Sequence, residues 1–80
     1  MSTNSLQAVA GAIARQKMID ASTIRPDTTL EELGVSSLDV TTIAFELEEE
    51  FNLSIPNEAL DGLTTVADVV TRLNGLLDER

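Results

Sequence analysis

Val40, Ile43, Ala44, Leu47 and Phe51 recur every three or four residues. That spacing lines one face of an α-helix and does not suit a strand, whose faces alternate with period two. The same spacing appears in Leu6, Val9, Ala10 and Ile13, and again in Val66, Val69, Val70, Leu73, Leu76 and Leu77. Strand signals are absent. The pattern predicts an all-α chain, a small four-helix bundle of three main helices and one short one, with a long ordered loop after the first helix. Eighty residues suffice for one small domain spanning 1–80. A domain of this size buries only about 60% of its unfolded surface, so its stability is marginal.

Capping signals set the boundaries. Asn4, with Gln7 three residues on, opens a helix over 4–17, and Arg15 and Lys17 suit its C-terminal end. Ser36 and Asp39 make an S-x-x-D box that opens a second helix over 37–51. Thr65 and Asp68 open the last, over 66–77. Pro56 starts a short turn, read as a one-turn helix at 57–61 that Gly62 stops. Residues 18–35 form a long connection in which Pro26 keeps Arg25 out of helix. Thr29 and Glu32 cap one short turn there and Gly34 ends it. Ile24, Leu30, Leu33 and Val35 are placed to pin this loop to the core.

Charge is segregated. Every Asp and Glu except Asp20, Asp78 and Glu79 lies between Arg25 and Arg72, a stretch without Lys or Arg. The net charge of −9 disfavours nucleic acid and anionic membranes as partners. With no Tyr or Trp and only two Phe, a base-stacking platform is equally unexpected. The acid reads either as a solubilising surface or as a docking surface for basic partners.

With no Cys and no His, the chain has no thiol nucleophile, no disulfide, no Ser-His-Asp triad and no imidazole or thiolate metal ligand. The carboxylates of Glu48 and Glu49 are neighbours on a helix and point apart, so no acid–base pair is implied. The chain is therefore expected not to be an enzyme. No apolar run reaches membrane-spanning length and the first residues lack the pattern of a signal peptide, so the cytoplasm is the expected compartment.

The serine pair carries the functional signal. Ser36 at the cap turns its hydroxyl toward the helix amides. Ser37, the first helical residue, stands on an exposed shoulder after a glycine-containing loop, where a phosphate ester would meet free N–H groups at the positive end of the helix dipole. By itself this is a weak signal, because serines at helix starts are mostly caps.

The stretches PDTTLEELGVSSLDV, ELEEEFNLSIP and LTTVADVV, taken together, resemble the acyl carrier protein family from about Ile24 to Leu77. The family's Leu-Gly-x-Asp-Ser-Leu core aligns with Leu33-Gly34-Val35-Ser36-Ser37-Leu38. The resemblance implies that Ser37 carries 4′-phosphopantetheine, donated by coenzyme A through a phosphopantetheinyl transferase. It also implies that an acyl intermediate is held on that arm as a thioester and delivered to partner enzymes. Such a group would supply the thiol that this chain lacks. The cargo could be fatty acyl, polyketide or aminoacyl, and the sequence leaves these open.

Two departures stand out. Ser36 replaces the usual Asp before the attachment serine, and Thr42 replaces an acidic residue often found five positions after it. Both suggest a specialised carrier. Asp39, Glu48 and Glu49 keep acidic places. The resemblance makes the second helix the docking surface for the transferase and for acyl-loading and acyl-processing enzymes with basic patches. Leu38, Thr42, Phe45 and Glu49 share a face rotated away from the buried stripe, with Phe45 as an apolar anchor in an acidic rim. The other placement for Phe45 is the core, where large aromatics are usually found. A monomer is expected. The competing function is an acidic helical interaction module that carries no covalent group.

Overall fold

The computed structural model describes residues 5–79. It contains three α-helices: α1 (Ser5–Lys17), α2 (Ser37–Phe51) and α3 (Val66–Glu79). Two 3-10 turns, Ala21–Thr23 and Asn57–Leu60, lie between them. Among the described residues there is no strand, only an isolated antiparallel bridge between Thr29 and Thr65. The expected fourth helix is thus a 3-10 turn, too short to complete a bundle. It follows Pro56, and its amides close i→i+3 bonds, Ala59 N–H to Pro56 at 2.9 Å and Asp61 N–H to Glu58 at 3.3 Å.

α1 packs against both α2 and α3. This explains why its buried surface is wider than the stripe of Leu6, Val9, Ala10 and Ile13. Ala8, Ala12 and Ala14 are buried too, because a helix with neighbours on two sides needs small residues where they approach. Leu6 is only half-buried. The expected Asn4 cap lies outside the described residues. From the other helices Leu47, Val66 and Leu73 are fully buried, and each such side chain contributes about 1.5–3 kcal/mol.

The long loop is ordered by the means its sequence suggests. Ile24 and Leu30 are buried, and Leu33 and Val35 pack against the core half-buried. Thr29 and Glu32 cap each other reciprocally, with Glu32 N–H donating to Thr29 Oγ1 and Thr29 N–H to the Glu32 carboxylate, both at 3.0 Å. Gly34, at φ +74°, ends the turn in a conformation that few other residues adopt. Beyond these local ties, the loop is stitched to the start of α3. Leu30 N–H donates to Thr64, Val66 N–H to Thr28 and Ala67 N–H to Pro26, at 2.9, 2.9 and 2.8 Å. The loop that leads into the serine pair is thereby held against the start of α3.

Candidate functional site at the start of α2

The capping box that opens α2 is complete. Asp39 N–H donates to Ser36 Oγ at 3.3 Å, and Ser36 N–H donates to the Asp39 carboxylate at 3.0 Å. Ser36 is therefore the N-cap, in extended backbone, and Ser37 begins the helix. Ser37 is exposed, and its hydroxyl has no partner among the described residues. Only its carbonyl is engaged, accepting from Thr41 Oγ1 at 3.2 Å.

Asp39 also joins two helices. Its carboxylate accepts from Lys17 Nζ at 3.0 Å and from Gln16 Nε2 at 3.1 Å, both at the end of α1. The Ser36 amide, then Lys17, then Gln16 hold the Asp39 carboxyl well below the usual carboxylate range. The S-x-x-D box is legible from spacing. The Lys17 and Gln16 contacts are not, because they join residues more than twenty positions apart.

Ser37 opens onto a groove of about 670 Å3. Polar residues rim it, among them Glu31, Thr41, Asn57, Asp61 and Thr64, and Leu30, Val35, Val40, Leu60 and Leu63 supply its apolar side. The same five apolar residues line an inner cavity of about 30 Å3 bounded otherwise by core side chains such as Ile13, Leu47 and Leu73. One charged residue, Arg72, reaches its lining. None of this groove was anticipated, since its walls come from the loop, from α2 and from the segment before α3.

The anticipated docking residues divide into two groups. Leu38 and Phe45 are 81% and 62% exposed, and Thr42 and Glu49 are exposed on the same side of α2. Phe45 therefore lies outside the core. Asp39 and Glu48 have internal work instead: Glu48 accepts from Ile55 N–H at 2.6 Å, and a partner seeking either carboxylate would compete with these bonds. Glu46, not singled out from sequence, forms an ion pair with Arg15 at 2.8 Å. Among the described residues no group of three acidic residues is arranged to hold a metal ion.

An exposed hydroxyl with no partner, next to a complete cap and at the rim of a groove, suits attachment of a flexible arm. Comparison with known proteins points the same way. A family model described as phosphopantetheine attachment site matches residues 7–73. The chain is 37% identical over 65 residues to a mitochondrial acyl carrier protein of Dictyostelium discoideum. That match covers 81% of this chain and 54% of the relative, so the chain spans about half the length of the curated protein it matches.

Proposed function

The chain belongs to the phosphopantetheine attachment-site family, and from that premise we propose that it is an acyl carrier whose Ser37 bears the 4′-phosphopantetheine arm. The observation that carries the proposal is the division of labour between adjacent serines. Ser36 caps α2, which leaves the Ser37 hydroxyl exposed at the mouth of the groove. The arm supplies a terminal thiol, on which an acyl group is held as a thioester.

This chain's own residues place and present that arm. The Ser36–Asp39 box and the Lys17–Asp39 ion pair fix the first turn of α2. The groove beside Ser37 would offer an arm attached there a partly apolar wall, from Leu30, Val35, Val40, Leu60 and Leu63, and a polar rim. Leu38, Thr42, Phe45 and Glu49 form the face offered to the transferase and to acyl-processing enzymes, where Phe45 anchors and Glu49 steers toward basic patches. Delivery then depends on tethering, which raises the effective concentration of cargo near a docked enzyme. In this role the protein catalyses nothing itself and works as a monomer.

The cargo pathway we leave between fatty-acid, polyketide and related acyl metabolism. For the compartment our reading is the cytoplasm. Fractionation of the host is the test, and a mitochondrial location, as in the name of the Dictyostelium relative, would replace it.

Intact mass measurement after incubation with coenzyme A and a phosphopantetheinyl transferase tests the attachment. A gain of one phosphopantetheine on the wild-type chain, absent from Ser37→Ala, is expected. A chain that gains no mass would instead be an interaction module without a covalent group.

A further inference from the structure

The carboxylates of α2 are Asp39, Glu46, Glu48, Glu49 and Glu50. Asp39 is tied to Ser36, Lys17 and Gln16, and Glu48 to the Ile55 amide. Glu46 is tied to Arg15 of α1. Both Nε, at 3.2 Å, and Nη2, at 2.8 Å, donate to the same oxygen, Oε1. Glu49 and Glu50 have no partner among the described residues.

Glu46 follows Thr42 by one turn, so it borders the face formed by Leu38, Thr42, Phe45 and Glu49. It also precedes Glu49 by three residues, and side chains at that spacing are neighbours on a helix surface. A basic patch that reaches Glu49 therefore comes within reach of Glu46. There it meets Arg15. A base arriving for Oε1 finds that oxygen taken, and one arriving for Oε2 is repelled by the guanidinium beside it. The ion pair itself adds little to folding, because the two side chains are 62% and 32% exposed. Arg15 also has somewhere to go. Its Nη1 lies over Gly11, where a Cβ would approach to 3.5 Å, and beside a groove of about 210 Å3 that Glu50 also lines. A displaced guanidinium finds room there and a second carboxylate.

We propose that Arg15 is an internal competitor on the docking face. It occupies Glu46 in the free domain, so a partner's basic group gains that carboxylate only by displacing it. Each docked complex is thereby shorter-lived than the acid on α2 would allow, which suits a carrier that leaves one enzyme for the next. The inference rests on the reading of α2 as the face for basic partners.

Binding kinetics with the transferase separate this competition from a change in net charge. Arg15→Gln removes the competitor, and Arg15→Lys keeps the charge without the two-donor fork. Arg25→Gln removes the same charge from the loop, outside α1 and α2. Dissociation about twofold to fivefold slower is expected for Arg15→Gln, the range that one surface ion pair commands. Arg15→Lys should shift dissociation the same way by less, with association unchanged. Arg25→Gln should alter association alone. In a Glu46→Gln background, Arg15→Gln should no longer slow dissociation. Wild-type dissociation in Arg15→Gln, or slowing that persists with Glu46→Gln, would overturn the competition. If Phe45→Ala and Glu49→Lys both bind as wild type in the same assay, α2 is not the docking face and that reading fails. The hold on Glu46 is decided separately in the unbound domain by nuclear magnetic resonance. Arg15 Nε–H should exchange with water about twofold or more slower than Arg25 Nε–H, a difference lost in Glu46→Gln, and equal exchange in the wild type would overturn the hold.

Discussion

Lys17 Nζ lies 3.0 Å from the Asp39 carboxylate, an ion pair that fastens the last residue of α1 to the first turn of α2. The same carboxylate caps Ser36. One side chain thereby sets both where the attachment helix begins and how it sits on its neighbour.

The pair makes stability depend on acid. A carboxyl whose pKa is lower in the folded chain stabilises the fold above its unfolded value, about 4, and that contribution is lost as pH falls through the folded value. Asp39 is lowered by the Ser36 amide, Lys17 and Gln16, Asp68 by the Thr65 and Thr64 amides, and Asp20 by Ser22. Melting temperature should therefore hold steady from neutral pH to about 4 and drop below it. Lys17→Met should lower the melting temperature near neutral pH and make the drop below about 4 shallower, as followed by circular dichroism. An unchanged acid profile would show that the pair contributes nothing to folding.

Ser36→Ala and Ser37→Ala should differ in kind. Loss of the cap costs about 1 kcal/mol in chemical denaturation, whereas Ser37→Ala leaves stability nearly unchanged and abolishes loading. A large loss of stability in Ser37→Ala would show that the two roles are exchanged.

Phe45→Ala should leave the free domain within about 0.5 kcal/mol of wild type, as expected for an exposed side chain. Binding to the transferase, measured by surface plasmon resonance, should show faster dissociation, because an apolar anchor acts after encounter. Glu49→Lys should chiefly slow association and flatten its salt dependence. Glu48→Lys should in addition destabilise the free domain, since it removes the acceptor for Ile55 N–H. A Phe45→Ala variant that unfolds, or whose dissociation is unaltered, would remove Phe45 from the docking face.

Met18 ends α1 at φ +58° and is 90% exposed. A side chain there bears the crowding of left-handed backbone and packs on nothing in return. Met18→Gly should raise stability by about 0.5–1 kcal/mol, read as a higher denaturant midpoint with an unchanged slope. A lower midpoint would mean that this position tolerates its side chain without strain.

The sequence by itself determined what is local. Helical spacing placed α2 over 37–51, Ser36 and Asp39 fixed its first turn, and Thr29, Glu32 and Gly34 shaped the loop before it. These features depend on residues three or four apart, whose meeting any helix or turn enforces. Only the tertiary structure decided the burial of Ala8, Ala12 and Ala14, the partners Lys17 and Gln16 for Asp39, and the Ile55 bond to Glu48. It also placed Phe45 outside the core and brought Arg72 to the Ala59 carbonyl. Each of these contacts or exposures depends on how α1, α2, α3 and the loops face one another in space, and spacing along one segment does not encode that.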